Sequence, residues 1–212
     1  KNEILVQTLP GHTDEVYRAL FSPNGQYILT SGSDSTAQLW DQNGRLLRTL
    51  EGHRHQITSA VFSPDNRYIL TTSRDSTARL WDQNGTLLQI LRGHTDGLNS
   101  AVFSPDNQYI LTAGRDGTAR LWDKNGKFLR ILRGHKDCVD AVAFSPDGCF
   151  ILTASQDKTA RLWHQNGQLI QVLQGHTFYV KSAIFSPDGQ FILTASGDRT
   201  ARRPATSLDH RC

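Results

Sequence analysis

Residues 92–132 read "RGHTDGLNSAVFSPDNQYILTAGRDGTARLWDKNGKFLRIL". The stretch "LNSAVF" alternates and predicts a strand. "SPDN" (Ser104–Asn107) predicts a turn, because Pro105 presets φ and Asp106 can hydrogen-bond its own backbone. "QYILTAG" predicts a second strand, "RDG" (Arg115–Gly117) a tight turn, and "TARLWD" a third strand. "KNG" is a turn of the Asn-Gly kind that favours a two-residue hairpin, and "KFLRIL" predicts a fourth strand. No segment keeps a helical period over a useful length. The unit is four short antiparallel strands joined by tight turns.

The unit repeats. Gly-His pairs fall at 11–12, 52–53, 93–94, 134–135 and 175–176, always 41 residues apart. A four-stranded sheet with apolar residues on both faces must be covered on both sides, and copies of one sheet can cover each other by stacking. Strand twist curls such a stack around an axis. The expected fold is therefore all-β: a β-propeller of four-stranded antiparallel blades, with five repeats present, four of them complete and the fifth truncated.

The motifs resemble those of the WD-repeat (tryptophan–aspartate repeat) propeller family: Gly11-His12…Trp40-Asp41, Gly52-His53…Trp81-Asp82 and Gly93-His94…Trp122-Asp123. The fourth copy, Gly134-His135…Trp163-His164, has His in place of the Asp, and the fifth keeps Gly175-His176 but has Pro204 where the Trp belongs. The resemblance runs from about Ile4 to Arg202. It implies one propeller domain, or part of one, over residues 1–203, followed by a non-repeat tail at 204–212. It also implies closure by sharing: "EILVQTL" (Glu3–Leu9) matches a fourth strand and would complete the last blade. Pro204 removes a backbone donor where the third strand of the fifth blade should pair. Three readings of that end stand open: a fragment of a longer array, a disrupted copy, or a closed five-bladed ring. An open array would expose edges and an uncovered face, and would self-associate.

Composition sets outer bounds. The chain has 212 residues, 37% hydrophobic and 20% charged, which is ordinary for a globular protein. No apolar stretch approaches the roughly 20 residues a membrane helix needs, and the N-terminus lacks signal-peptide features. There is no Met, even at position 1, so the chain as given does not begin at an unprocessed translation start. The net charge is +3, of which Arg202, Arg203, Arg211 and Asp209 near the C-terminus supply +2. That balance argues against a nucleic-acid footprint. Cys138, Cys149 and Cys212 are odd in number and irregularly spaced, suggesting neither a disulfide framework nor a metal site. They fit a reducing, cytoplasmic setting.

Each complete repeat carries a His, a Thr, an Asp and a Trp at fixed offsets: His12, Thr30, Asp34, Trp40; His53, Thr71, Asp75, Trp81; His94, Thr112, Asp116, Trp122; and His135, Thr153, Asp157, Trp163. The set looks like nucleophile, base and orienter, but one copy per blade is the pattern of a structural staple. In the family it resembles, these four residue types form a hydrogen-bond chain. The fifth copy keeps His176, Thr194 and Asp198 without the Trp. Arg79, Arg120, Arg161 and Arg202, with Gln38 in the first copy, are expected to lay their stems between blades. His53 and His55 form a close pair too weak to assign a metal. No catalytic residue, cofactor or metal is assigned.

Positions that vary while the frame holds are free to carry specificity. They are Glu15, Tyr17 and Ser33; Gln56, Thr58 and Arg74; Gly97, Asn99 and Arg115; Cys138, Asp140 and Gln156; and Tyr179, Lys181 and Gly197. In similar propellers these offsets lie around the central channel, on the face that holds partner proteins and peptides. Tyr17 and Tyr179 would be amphipathic anchors, and Arg74 and Arg115 can fork onto carboxylates or phosphates. The leading expectation is a non-catalytic platform for other proteins or peptides, a module of a larger signalling or assembly protein. A ligand-binding or enzymatic propeller acting through Glu15, Asp140 and Lys181 at the channel mouth, and a nucleic-acid-binding propeller using Arg74, Arg115 and the C-terminal tail, are the alternatives.

Overall fold

The computed structural model describes residues 7–205, and every regular element in it is a strand. Blade one is β1 (Val16–Phe21), β2 (Tyr27–Gly32), β3 (Ala37–Asp41) and β4 (Leu46–Leu50). Blade two is β5 (Ile57–Phe62), β6 (Tyr68–Ser73), β7 (Ala78–Asp82) and β8 (Leu87–Leu91). Blade three is β9 (Leu98–Phe103), β10 (Tyr109–Gly114), β11 (Ala119–Asp123) and β12 (Phe128–Leu132). Blade four is β13 (Val139–Phe144), β14 (Phe150–Ser155), β15 (Ala160–His164) and β16 (Leu169–Leu173). Blade five is β17 (Val180–Phe185), β18 (Ile192–Ser196) and the two-residue β19 (Ala201–Arg202). Within each sheet, strands adjacent in sequence are adjacent in space and antiparallel. In the unit quoted above, β9 coincides with the expected strand, and β10, β11 and β12 each begin one residue later than expected.

One turn differs from expectation. In the Asn-Gly loop after β11, Gly126 N–H donates to Asp123 O, Asp123 N–H donates to Lys127 O, and only Gly126 has positive φ (+80°). The loop holds three residues, not two, and the ladder slips between Leu121 and Trp122. A turn with a single left-handed glycine and a bulge satisfies strand twist while asking only one residue to take positive φ. Asp123 Oδ1 holds the loop by accepting from Asn125 N–H and Lys127 N–H, each at 2.9 Å. Where His164 replaces that Asp, the work is divided: His164 Nδ1 accepts from Asn166 N–H at 3.1 Å, and Asn166 Oδ1 accepts from Gln168 N–H at 2.9 Å.

The core lies between blades. Leu29, Leu39 and Leu50 of blade one meet Ile57, Ile69 and Trp81 of blade two. The same arrangement joins blades two and three, three and four, and four and five. Among the described residues no such core joins blade five to blade one. Val16 is 48% exposed, although its counterparts Ile57, Leu98, Val139 and Val180 are fully buried. On the other end Leu193 is 46% exposed, whereas Leu29, Leu70, Leu111 and Leu152 are at most 1% exposed. The described blades therefore form an arc with two uncovered apolar faces.

Blade five stops where the repeat breaks. β18 and β19 pair only through Thr194–Arg202 and Ala195–Ala201, and Pro204 has no N–H to continue the ladder. Arg203 stands where the other blades bury Leu39, Leu80, Leu121 and Leu162, and its guanidinium lies 4.8 Å from the Phe191 ring. The expected outer strand at Glu3–Leu9 falls mainly outside the described residues, and Gln7–Leu9 form no strand. Gln7 Nε2 donates to Asn43 O as Arg48 Nε donates to Asn84 O in the next blade, so this segment runs along the outer turn of blade one. Cys138 is free.

Candidate protein-binding face

The repeated histidines form a hydrogen-bond chain in every blade. In blade two His53 Nδ1 meets Asp75 Oδ2 at 2.8 Å, His53 Nε2 meets Thr71 Oγ1 at 2.9 Å, and Trp81 Nε1–H donates to Thr71 Oγ1 at 2.9 Å. Blades one, three and four repeat the chain within 0.2 Å. The indole fills one lone pair of the Thr oxygen, which turns the hydroxyl proton toward Nε2 and leaves Nδ1–H to donate to the carboxylate. The carboxylate also accepts from the next loop, as Asp75 does from Arg54 N–H at 3.0 Å and Thr77 N–H at 3.0 Å. Burial pushes the carboxyls of Asp75, Asp116 and Asp157 up, but hydrogen bonds from histidine, threonine and backbone outweigh it and hold them well below the usual carboxylate range. The His and Asp side chains of all five sets are at most 8% exposed. The histidine's place in the loop before each first strand makes the set a clamp on the turn between strands two and three.

That clamp explains the glycine of each Gly-His pair. A Cβ on Gly52 would lie 2.2 Å from Arg79 Nη1, and the backbone there has φ +127°. Arg120, Arg161 and Arg202 sit against Gly93, Gly134 and Gly175 in the same way, as Gln38 does against Gly11. The strand-three arginines thus lie across the loop that carries the histidine, where Arg79 donates to Gly52 O.

The varying positions come together on one face for a backbone reason. The residue before each turn Asp donates its N–H to the loop before the first strand: Ser33 to Glu15 O, Arg74 to Gln56 O, Arg115 to Gly97 O, Gln156 to Cys138 O and Gly197 to Tyr179 O, at 2.8–3.2 Å. Each first strand then bulges one residue further on, leaving Tyr17, Thr58, Asn99, Asp140 and Lys181 outside the ladder. A bulge re-aims its extra side chain. All fifteen varying positions therefore belong to five copies of one backbone device.

Side chains on this face connect across blades. Arg74 Nη1–H donates to Asn99 Oδ1 at 2.7 Å, Asn99 Nδ2–H donates to Asp140 Oδ1 at 3.0 Å, and Gln156 Nε2–H donates to the same oxygen at 3.0 Å. Blades two, three and four are thereby tied together on this face. Burial and the nearby charge of Arg115 lower the Arg74 guanidinium from its ordinary value, with Asp140 and Asp96 opposing. Burial raises the Asp140 carboxyl, opposed by the Gln156 hydrogen bond and Arg74. On blade one Ser33 Oγ–H donates to Tyr17 Oη at 2.6 Å. On blade five Phe178 and Tyr179 stack at 3.9 Å, with Lys181 Nζ 5.7 Å from the Tyr179 ring. Thr58 is turned inward, donating to Thr72 O at 3.1 Å.

Beside this chain lies a polar groove of about 470 Å³, lined by Arg54, His55, Gln56, Arg74, Asp96 and Arg115 and closed by serines of blade one. The three guanidiniums have no carboxylate within ion-pair distance among the described residues. Sequence comparison singled out Gln56, Arg74 and Arg115 but missed Arg54 and Asp96, which sit in the loop that merely looked polar. The signal available was the run Arg54-His55 beside a histidine already committed to the clamp. His53 and His55 do not act together: His53 is in the staple and His55 lines the groove. Of Glu15, Asp140 and Lys181, Asp140 is held by the Asn99 and Gln156 amides, Lys181 lies over Tyr179 and Glu15 is exposed. Among the described residues no three His, Cys, Asp or Glu side chains gather as a metal site, and no helix is long and apolar enough to cross a membrane.

A propeller built from such staples, with its bulges on one face, is the architecture of a repeat family that matches this chain five times. Residues 3–41, 44–82, 85–123, 126–164 and 167–202 match the WD domain, G-beta repeat family, and the chain belongs to that family. It is also 53% identical over 36 residues to the nuclear distribution protein PAC1 of Arthroderma otae, a match covering 17% of this chain and 8% of that protein.

Proposed function

We propose that this chain is a non-catalytic platform for protein–protein interaction, and that the bulged face is where a partner segment docks. The observation that carries the reading is the groove: three guanidiniums with no carboxylate within ion-pair distance among the described residues, one of them, Arg74, held in place by the Asn99–Asp140–Gln156 chain. Guanidiniums with no paired carboxylate, Arg54 and Arg115 exposed and Arg74 half-buried, favour an anionic, bidentate partner, so an acidic peptide segment is the preferred ligand. Tyr17, Ser33, Tyr179 and Lys181 supply amphipathic and polar contacts at the rim, with Phe178 beside Tyr179. The likeness to part of a nuclear distribution protein is in keeping with a module of a larger assembly. The test is a calorimetric titration of a Glu-rich peptide into the chain and into the Arg54→Ala, Arg74→Ala, Arg115→Ala variant. Saturable binding that the variant loses, with its melt preserved, supports the reading. Equal binding by both would sink it. Stronger, steeply salt-dependent binding of duplex DNA at the same arginines would favour the nucleic-acid alternative.

A second reading rests on a separate observation. Val16 and Phe21 at one end, and Ile184 and Leu193 at the other, are counterparts of residues that meet each other at every internal junction. Each open face is thus shaped for the other, and a second copy of this chain is its natural occupant, joined head to tail.

A further inference from the structure

In blades one to four the tryptophan does two things. Its N–H donates to the staple threonine at 2.9–3.0 Å, and in blades two to four its ring is buried against the preceding blade, as Trp81 is with Leu50 and Trp122 with Leu91. An arginine of the same strand lies alongside, with the Arg79 guanidinium 5.9 Å from the Trp81 ring.

Blade five keeps the staple threonine and histidine, the leucine of the preceding blade and the strand-three arginine, and lacks the ring. Where the indole would lie there is a cavity of about 350 Å³, walled by Leu173, His176, Thr194, Arg202, Arg203 and Pro204. Leu173 is the counterpart of Leu50, Leu91 and Leu132, and Arg202 that of Arg79. Thr194 is 3% exposed, and His176 holds it as in the other blades, with Nε2 2.9 Å from Thr194 Oγ1. The lone pair that the other four threonines give to an indole N–H has no indole here. The volume lies within the range of about 300–1,000 Å³ typical of ligand pockets. One buried acceptor, an apolar wall and a guanidinium lining the cavity are the chemistry of an indole site.

We propose that this cavity binds an indole ring supplied from outside the chain, with its N–H donating to Thr194 Oγ1 and its six-membered ring against Leu173. The site is separate from the arginine groove, and its test does not depend on that reading.

The experiment uses the whole chain with 5-fluoroindole, followed by fluorine NMR and calorimetry. One saturable site per chain is expected, because the equivalent positions in blades one to four are already filled. N-methylindole has the same rings and no donor, and should bind roughly tenfold more weakly. N-acetyltryptophanamide tells the sources apart: binding comparable to indole means the mouth admits a tryptophan side chain from another protein, and its exclusion means a small free indole. Pro204→Trp should fill the cavity from within, raise the melting temperature and abolish 5-fluoroindole binding. Absence of saturable binding would overturn the proposal. So would equal binding of N-methylindole and indole, or undiminished binding to a folded Pro204→Trp chain.

Discussion

Blades four and five have nearly the same sequence frame and different fates. Both form the staple: His135 and His176 reach Asp157 and Asp198 at 2.8 and 2.7 Å, and Thr153 and Thr194 at 2.7 and 2.9 Å. Both bulge at the same place in the first strand. Yet Leu152 is fully buried and Leu193 is 46% exposed. The β14–β15 ladder pairs five residues on each strand and the β18–β19 ladder two. The staple depends on residues within one repeat and forms wherever the repeat is written. Burial depends on the next repeat, and fails where that is missing. Polar registration is thus local to a blade, and hydrophobic stability belongs to the junction between blades.

Acid should produce the largest effect, because it attacks what the blades share. The folded pKa values of the staple carboxylates lie below the ordinary value near 4, so their stabilisation is complete above that pH and drains away as the pH falls below it. For Asp75, Asp116 and Asp157, with side chains 6–8% exposed, each contributes on the order of 1–2 kcal/mol. Thermal melts should hold steady down to about pH 5 and drop steeply by pH 3; a flat profile would break the shared-staple half of the comparison.

Next in size is the junction. Leu111→Ala removes a fully buried side chain between blades three and four and should cost about 2–5 kcal/mol. Leu193→Ala, at the same offset in blade five, should cost less than about 1 kcal/mol, since its side chain is already half in water. Equal losses, measured by urea unfolding, would show that blade five is covered in solution. Smaller again is Asp116→Ala, which leaves His94 and Thr118 without their acceptor and should cost about 2 kcal/mol, while Asp198→Ala should lower the melt less. Identical shifts would mean that the outer blade is as constrained as the inner one. The smallest change is Arg203→Leu, which restores the repeat's leucine on the open face: the melt of the isolated chain should scarcely move, and its tendency to associate should rise.

Much of this was legible in the sequence because the repeat supplies its own internal comparison. The strand ends of the quoted unit were legible to within a residue, and all four complete staples could be named from offsets, since alternation and turn residues act locally. What was hidden joins one repeat to another. The Arg74–Asn99–Asp140 chain links residues 25 and 41 positions apart in three blades, and comparing copies column by column does not reveal which columns touch. The contact of Arg79 on Gly52 was equally invisible, because the glycine was read as a motif letter and not as space occupied by a guanidinium. Arg54 and Asp96 escaped for the opposite reason: they lie in loops where polar residues need no explanation until a cavity puts them together.

The central claim is that a blade is stable only under its neighbour, and that two faces of this arc lack one. Light scattering on a sizing column over a range of concentrations tests it most directly. The expected mass rises above 23.7 kDa with concentration, falls back to the monomer in either of the single variants Phe21→Asp or Leu193→Asp, and recovers to a heterodimer when the two variants are mixed. A monomer of 23.7 kDa at every concentration would contradict it, and would mean that the two faces close on each other within one chain.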